Sequence, residues 1–274
     1  MKTVPILLAA LALAACQNDT KNLNDKIDKL DKKLDAVLAQ RGGGNPGAAQ
    51  QRPQRPEPDR SKTYSVSVAG DNFDGPADAK ITVVKAYDYA CPYCERVRST
   101  MDELHKKYGE DIRVVYKQLV VHPQTAMTGA LAFCAAGKQG KATQMDALIW
   151  DKGFKARKFD ADQCWTGGTC EIVNAFAQEL QLDLNKFKAD MKGCQEIVQA
   201  DMRDMQKLGV GATPAFFVNG RYISGAVPID NFVTVIDEEL KKANERIQQG
   251  TPKAQYYQQW VVDKGLKTLE APKQ

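Results

Sequence analysis

The spacing of hydrophobic residues changes several times along the chain and divides it into regions. Residues 4–13 form an apolar run, and residues 20–40 carry an apolar side chain at every third or fourth position, which predicts an amphipathic helix. Residues 41–62 show no such period and are rich in Gly, Pro and polar residues. From Tyr64 onward, short apolar runs alternate with stretches of helical period, and this succession predicts a folded α/β domain.

Within that domain, placed at residues 63–250, apolar runs predict strands and periods of 3.6 residues predict helices. The predicted strands are an edge strand at Tyr64–Val68, a buried strand at Ile81–Tyr87, and further strands at Ile112–Lys117, Phe216–Val218 and Tyr222–Ile223. The predicted helices are Glu95–Tyr108, Thr125–Ala136, Lys141–Trp150, Glu171–Leu180, Leu184–Met191, Cys194–Leu208 and Pro228–Gln248. Asn219-Gly220 is typical of a type I′ hairpin turn. Residues 251–274 form a C-terminal extension that we expect to pack on the domain as a short helix.

Residues 1–16 are predicted to be a lipoprotein signal peptide. Lys2 supplies a positive start, the apolar run is too short to span a bilayer as a stable helix, and Leu-Ala-Ala-Cys at residues 13–16 resembles the lipobox of bacterial lipoproteins. In that motif the cysteine is acylated and becomes the new N-terminus, so Cys16 is the expected lipidation site. The alternative is an ordinary signal peptide with a chance cysteine. Gln17 stands where an Asp would signal inner-membrane retention, which favours a periplasm-facing chain anchored in the outer membrane.

Residues 17–40 are predicted to form a helical stalk, and residues 41–62 a linker. The apolar seam of the stalk follows heptad spacing and consists of Leu23, Ile27, Leu30, Leu34 and Val37. We expect a small parallel coiled coil that makes the protein a homo-oligomer through residues 20–40. The alternative is a single amphipathic helix that lies on the domain or on the membrane. The linker has too little apolar surface to bury, so we expect a disordered tether.

Charge and cysteine number narrow the classes of partner. The 274-residue chain has a formal net charge of only +4, spread along its length, so no nucleic-acid partner is expected. Of seven cysteines, one is assigned to lipidation, and the even number that remains is typical of disulfides in an oxidising compartment. Metal binding is the competing interpretation. Only one pair has CxxC spacing and the two histidines lie far from a second pair, so no metal ion is expected.

The strongest chemical signal is Cys91-Pro92-Tyr93-Cys94, between a predicted strand and a predicted helix. Unpaired backbone N–H groups and the helix dipole stabilise a thiolate at a helix N-terminus. We therefore expect Cys91 to have a lowered pKa and to act as the nucleophile. Cys94 lies one turn later and is the resolving cysteine of a thiol–disulfide exchange, while Pro92 fits the first helical turn. The alternative is a structural disulfide or half of a zinc site.

A second motif, Thr-Pro-Ala-Phe-Phe-Val-Asn-Gly at residues 213–220, makes the interpretation specific. Together with CPYC at a strand–helix junction, it resembles the DsbA-like thioredoxin-fold thiol:disulfide oxidoreductases. The resemblance covers roughly residues 64–248 and implies a thioredoxin fold with a helical insertion at about residues 120–208. It also implies that Pro214 is cis, that its loop faces the active-site cysteines, and that the backbone of Thr213 pairs with the substrate chain.

The sequence departs from that family at one position. These enzymes usually have a buried carboxylate six residues before the nucleophile, as the proton acceptor for the resolving cysteine, and here that residue is Lys85. A charged Lys cannot accept a proton, although its charge would lower the pKa of nearby thiols. We name Lys85 and Asp88, the latter acting through water, as candidate proton-relay residues. The alternative is a Lys85 side chain that extends to solvent and takes no part in catalysis.

The remaining cysteines fall in the predicted insertion. The glycines between Cys164 and Cys170 would let the ends of that loop meet, which favours a Cys164–Cys170 disulfide and leaves Cys134 to pair with Cys194. The sequence leaves three connectivities open. A buried free thiol at Cys134 is a further alternative.

The sequence thus predicts a thiol:disulfide oxidoreductase that acts on cysteine-containing exported proteins and depends on an upstream membrane redox partner. Its redox centre is the Cys91–Cys94 pair, and no separate cofactor is expected. The resemblance implies two directions. Monomeric DsbA-like proteins donate disulfides, whereas oligomeric relatives such as DsbC, DsbG and the suppressor-of-copper-sensitivity proteins isomerise or reduce them. The stalk, the CPYC dipeptide and the Thr before Pro214 favour the second group, whereas the core of the sequence resembles the donor type. Isomerisation is therefore held as a hypothesis within the broader oxidoreductase. The alternative is a non-catalytic binding or assembly lipoprotein whose CxxC is structural or binds copper.

Overall fold

The computed structural model describes residues 57–158 and 170–269, together with the single residue Lys29. The predicted signal segment with Cys16, the predicted stalk apart from Lys29, most of the predicted linker, and Cys164 lie outside these residues. Within the described ranges, no helix combines the length and the apolar character needed to cross a membrane.

A mixed five-stranded sheet in the order β1-β3-β2-β4-β5 forms the centre of the domain. The strands are β1 (Phe73–Asp74), β2 (Ile81–Tyr87), β3 (Ile112–Gln118), β4 (Ala215–Val218) and β5 (Arg221–Ser224). β2 and β3 are parallel, whereas the pairs β1–β3, β2–β4 and β4–β5 are antiparallel. β2 is buried along its whole length, as its β-branched and aromatic residues predict. Positive φ angles at Asn219 and Gly220 form the predicted hairpin turn between β4 and β5.

Helices cover both faces of this sheet. They are α1 (Pro92–Arg96), α2 (Arg98–Tyr108), α3 (Pro123–Gly137), α4 (Ala142–Leu148), α5 (Glu171–Glu179), α6 (Leu184–Lys207) and α7 (Ile229–Gln248). A π-helical turn at Ile149–Phe154 continues α4, and short turns at Lys253–Gln255 and Gln258–Val262 belong to the C-terminal extension. Because α3 to α6 lie between β3 and β4, the predicted thioredoxin fold with a helical insertion is confirmed.

Alternation along the strands sends neighbouring side chains into two different cores. Val83 of β2 and Phe216 of β4 pack with residues of α2 and α7 on one face. Val84 and Phe217 pack on the other face with the segment after residue 63 and the end of α6. All four side chains are fully buried, and each such burial stabilises the fold by about 1.5–3 kcal/mol. The sheet therefore fixes the end of β2, which precedes the CPYC motif, and the start of β4, which follows Thr213-Pro214.

The helical insertion has an apolar core of its own that extends to the redox motif. Trp150 and Phe187 are among its fully buried side chains, and Tyr89, Cys91 and Cys94 belong to the same cluster. The active-site segment thus packs on the helical insertion, and its position depends on the packing of α3, α4 and α6.

The edge strand predicted at Tyr64–Val68 is wrong. The segment makes one isolated bridge, from Tyr64 to Leu266 of the C-terminal extension, and no continuous strand. Its alternating pattern arises because Tyr64 and Val66 are buried against the sheet. The extension, which packs on the domain as expected, satisfies the backbone: the Tyr257 hydroxyl donates to the Val66 carbonyl oxygen at 2.8 Å.

The predicted disordered linker 41–62 extends too far toward the domain. Residues 57–62 contact the folded part of the chain: Pro58 is buried, and Arg221 Nε donates to the carbonyl oxygen of Arg60 at 2.8 Å. The folded domain therefore begins by residue 57. These contacts link residues far apart in sequence, so local composition could not reveal them.

Two helix predictions also differ from the structure. The predicted helix Glu95–Tyr108 begins earlier, at Pro92, and is interrupted at Val97. The predicted helices 184–191 and 194–208 are a single helix, α6, which continues through Gly193. Glycine inside a helix costs about 1 kcal/mol relative to alanine. The buried stripe of α6 outweighs that cost, and its members are Phe187, Cys194, Val198, Asp201 and Met205.

Candidate active site

The CPYC motif lies where β2 ends and α1 begins. Cys91 is the N-cap residue of α1, in an extended conformation, and Pro92 occupies the first helical turn. The backbone N–H groups of Cys94 and Glu95 donate to the Cys91 carbonyl oxygen at 3.0 and 3.2 Å, which fixes this turn. Cys91 and Cys94 are free thiols with exposures of 4% and 1%, whereas the Tyr93 side chain is 54% exposed.

Cys91 is prepared to act as a thiolate. A hydrogen bond from the Cys94 thiol, followed by the Thr213 side chain and the backbone N–H groups of Cys94 and Tyr93, lowers the pKa of Cys91 to about 5, although burial opposes the shift. Its ordinary value is near 9, so Cys91 is almost entirely ionised at neutral pH. The cause is local: donors gathered at the first turn of a helix stabilise the anion.

Cys94 has the opposite character. Burial, followed by the hydrogen bond it makes to Cys91, raises its pKa far above the ordinary value, and a backbone hydrogen bond from Asp88 opposes this only in part. Cys94 therefore stays protonated until a reaction at Cys91 changes its surroundings. One cysteine of the pair is ionised and the other holds its proton, which is the division needed for attack followed by resolution.

The second sequence motif meets the first at Cys91. The Thr213–Pro214 peptide bond is cis, and the Cys91 thiol lies 3.3 Å from the Thr213 carbonyl oxygen. The Thr213 side chain also favours the thiolate forms of Cys91 and Cys94. The fold thus brings together two segments that are 122 residues apart in sequence.

Lys85 is buried, so the alternative in which its side chain extends to solvent is wrong. The residue is 3% exposed, and its ammonium lies 4.5 Å from the ring centroid of Tyr87 and 4.8 Å from that of Tyr116. Burial lowers the pKa of Lys85, while the charges of Asp146 and Cys94 oppose this. Lys85 therefore interacts electrostatically with the redox pair from inside the domain, although burial disfavours its charged form.

Asp88 joins the redox motif to the start of the insertion. Its carboxylate accepts hydrogen bonds from the backbone N–H groups of Ala90 at 2.7 Å, Val121 at 2.6 Å and His122 at 2.8 Å, and the side chain is fully buried. His122 Nδ1 also lies 3.2 Å from the Asp88 carboxylate. The geometry assigns Asp88 a positioning role, in which it aligns the loop before Cys91 with the loop before α3.

A buried series of hydrogen bonds next to the motif is not predicted by the sequence pattern. Asp146 of α4 accepts from the Tyr89 hydroxyl at 2.7 Å and from Trp150 Nε1 at 3.1 Å. The Tyr89 and Tyr87 hydroxyls lie 2.9 Å apart, and Gln118 Nε2 donates to the Tyr87 hydroxyl at 2.6 Å. Burial raises the pKa of both tyrosines well above the usual value, so both keep their protons. The only sequence signal was a polar Asp on an apolar helix face.

The insertion contains cysteines of a different kind. Cys134 of α3 and Cys194 of α6 form a disulfide across 60 residues. Cys170 is also disulfide-bonded, and because Cys164 lies outside the described residues, the Cys164–Cys170 pairing stays a prediction. Among the residues that the structure describes, no group of three or more His, Cys, Asp and Glu side chains is arranged to hold a metal ion.

Comparison with known proteins places this geometry in a family. A family model described as thioredoxin matches residues 68–238. The Na(+)/H(+) antiporter NhaA of Herminiimonas arsenicoxydans is 29% identical over 169 residues, and the Na(+)/H(+) antiporter NhaA 3 of Salinispora tropica is 31% identical over 187. These alignments cover 61% and 66% of this chain but only 25% and 26% of the relatives. The chain therefore spans about a quarter of the length of the curated relatives it matches.

Several solved structures share the fold. BdbD from Bacillus subtilis has a TM-score of 0.53 at 22% identity, covering 68% of this chain and 100% of that one. The α-DsbA1 protein of Wolbachia pipientis has a TM-score of 0.54 at 16% identity, covering 66% and 96%. The catalytic domain of Proteus mirabilis ScsC has a TM-score of 0.50 at 23% identity, covering 63% and 90%. At these identities the likeness establishes a DsbA-like thioredoxin fold.

Proposed function

This chain belongs to the thioredoxin family, and from that premise we propose that it exchanges disulfides with cysteine-containing exported proteins. The observation that carries the proposal is the contrast between an ionised Cys91 and a protonated Cys94 at one helix N-terminus. A fold alone does not define an activity. Two adjacent thiols with such different proton affinities match what the two steps of the reaction require.

The proposed reaction transfers two electrons from two client thiols to the Cys91–Cys94 disulfide. In the oxidised enzyme, a client thiolate attacks Cys91 of the Cys91–Cys94 disulfide, forming a mixed disulfide with Cys91 and releasing Cys94 as a thiolate that takes up a proton. A second client thiolate then attacks the client sulfur of the mixed disulfide. The client gains a disulfide, Cys91 leaves as a stable thiolate, and the enzyme has accepted two electrons. An upstream membrane redox partner would accept those electrons and restore the oxidised pair.

The direction that we favour is disulfide donation. A stabilised Cys91 thiolate lowers the free energy of the reduced pair relative to the disulfide, so the pair gives up its disulfide more readily. Isomerisation uses the same pair in its reduced state, in which Cys91 attacks a non-native client disulfide. Where no client thiol resolves the mixed disulfide, Cys94 attacks Cys91 and releases the client. We keep isomerisation within the proposal because it would gain from a homo-oligomer formed through residues 20–40.

The proposed location is a lipid anchor at Cys16, with the domain held in the periplasm by the stalk and linker. The lipobox resemblance and the Gln after Cys16 support an outer-membrane anchor. Mass spectrometry of the purified protein tests the anchor directly. We expect an acylated Cys16 at the N-terminus and an unacylated, soluble product from Cys16→Ala.

Trapping of the mixed disulfide tests the reaction. Cys94→Ala should accumulate client proteins joined to Cys91 and released by a reductant, whereas Cys91→Ala should accumulate none. Wild type should oxidise a reduced, unfolded ribonuclease catalytically, with a reduction potential nearer the roughly −120 mV of strong oxidants than the −270 mV of thioredoxin. No adducts and no turnover, with copper retained through purification, would instead support the non-catalytic assembly lipoprotein. A potential near −270 mV would overturn donation as the direction.

A further inference from the structure

A cavity apart from the redox motif has the chemistry of a ligand site. It lies between β3, α3 and α6 and measures about 160 Å³, more than ten times the roughly 10–15 Å³ that one water molecule requires. Tyr116, Phe133, Ile197 and Val198 give it an apolar side. Ile197 is 43% exposed, which places the mouth of the cavity at this residue on α6.

A buried acceptor faces this cavity without a partner. Tyr89 donates its single hydroxyl hydrogen to Asp146, so Tyr87 must donate to Tyr89. Because the Tyr87 hydroxyl hydrogen is used, Gln118 donates its amide N–H to the Tyr87 hydroxyl oxygen. The Gln118 amide oxygen therefore takes no part in this series of hydrogen bonds. Gln118 is 3% exposed and lines the cavity, and its Oε1 atom has no hydrogen-bond partner among the described residues. Leaving such an acceptor unpaired costs about 1–3 kcal/mol, which a donor in the cavity would recover.

Two carboxylates and one ammonium lie together at the polar side of the cavity. Lys117 Nζ lies 2.7 Å from Asp71 Oδ2 and 2.9 Å from Asp201 Oδ1, so one ammonium is shared by two carboxylates. All three side chains are only 7–8% exposed. Burial raises the pKa of Asp71 to about 6, which leaves this carboxylate mostly ionised at pH 7.5, and burial also raises the pKa of Asp201 while the Lys117 charge opposes both shifts. Lys138 at the rim adds no free charge, because its Nζ lies 3.4 Å from Asp190.

We propose that this cavity binds a primary ammonium group carried on a short apolar stem. The ammonium donates to Gln118 Oε1 and is attracted by the carboxylates of Asp71 and Asp201, while the stem packs on Tyr116 and Phe133. A free aliphatic amine and the side chain of a lysine on a bound protein both have this chemistry. The site lies outside the CPYC motif, so the proposal does not depend on disulfide exchange.

The test titrates the full chain with n-butylammonium at pH 7.5 and follows binding by calorimetry, with 1-butanol as the uncharged control. We expect saturable binding of the ammonium and at least tenfold weaker binding of the alcohol. A second pair of probes, Nα-acetyl-lysine N-methylamide and its norleucine counterpart, identifies the source. A lysine derivative that binds more tightly than the free amine indicates a protein side chain, and the reverse order indicates a small amine.

Three variants separate the cavity from general charge effects. Asp71→Asn should weaken n-butylammonium binding at least fivefold. Glu196→Gln removes the same charge from an exposed position next to Ile197 and should leave binding unchanged. Ile197→Trp should block the mouth without touching the polar side, and it keeps the proposal testable if Asp71→Asn does not fold. Absence of saturable binding, equal binding of butanol, or equal losses in Asp71→Asn and Glu196→Gln would each overturn the proposal.

Discussion

Ionisation of Cys91 should add a pH-dependent contribution to the stability of the reduced protein. The folded protein lowers the pKa of Cys91 from 9.0 to about 5. A group whose pKa is depressed on folding stabilises the native state fully above its unfolded pKa, and this contribution is lost as pH falls through the folded pKa. The contribution should therefore be absent near pH 4, grow between pH 5 and pH 9, and be constant above.

The magnitude follows from the same numbers. At pH 7 the native thiol is two pH units above its pKa and the unfolded thiol is still protonated, which gives about 2.7 kcal/mol at 1.36 kcal/mol per unit. Cys91 lies next to the exposed Pro92 and Tyr93, so screening by solvent reduces this, and we expect about 1–2 kcal/mol. Because 1.4 kcal/mol corresponds to about 30 mV for a two-electron couple, the same thiolate should raise the reduction potential by about 20–40 mV.

The assay is denaturant unfolding of reduced wild type and reduced Cys91→Ser from pH 4 to pH 9.5. The difference in unfolding free energy should begin to rise near pH 5 and reach a plateau near pH 9, and absorbance at 240 nm should give a thiolate midpoint near pH 5. Oxidised wild type serves as a control, because its Cys91 cannot ionise. Cys94→Ala removes the main donor to Cys91, so its midpoint should move to higher pH. A difference that does not change with pH, or a midpoint between 8.5 and 9, would falsify the assignment.

Three further changes test separate parts of the site. Asp88→Asn replaces a side chain that accepts three backbone N–H hydrogen bonds, so the free energy of unfolding in urea should fall by about 2–3 kcal/mol. A fall of less than about 0.5 kcal/mol would show that Asp88 does not position these loops. Replacing Cys134 and Cys194 together by Ser opens a 60-residue loop and should cost up to about 4 kcal/mol in oxidised protein, with retained ribonuclease oxidation as the control. Thr213→Val removes a donor worth about 0.5–1.5 kcal/mol, so the Cys91 titration should shift upward by about 0.5–1 pH unit; an unchanged midpoint would refute this role.

Much of the site is predictable from short stretches of sequence, because local rules determine it. An apolar run, a CPYC motif and a helical period in direct succession place Cys91 at a helix N-terminus, and the structure has it there. The hairpin turn at Asn219-Gly220 has the same origin, since both residues tolerate positive φ angles. The Cys134–Cys194 disulfide is the pairing that the favoured Cys164–Cys170 bond leaves over, although the sequence leaves three connectivities open.

The features that were not predictable depend on residues distant in the chain. Asp88 precedes the motif by three residues, yet its donors at Val121 and His122 come from a loop more than thirty residues later. Gly193 predicts a break in the helix when only its sequence neighbours are considered. The helix continues because α6 packs on the core of the insertion. At Gly193, tertiary contacts outweigh a local preference of about 1 kcal/mol.

Lys85 combines both kinds of determinant and bears on the direction of the reaction. A lysine between the buried Val84 and Ala86 must either reach solvent or find partners, and sequence alone does not choose. The partners are two aromatic faces, an interaction worth about 2 kcal/mol when desolvated, which offsets part of the cost of burying the charge. When protonated, Lys85 favours the transient Cys94 thiolate that is released as the disulfide opens and then takes up a proton. A buried carboxylate would instead oppose that anion. A protonated Lys85 therefore assists the release of Cys94, while the helix N-terminus stabilises the reduced pair at Cys91, and both effects agree with the proposed disulfide donation.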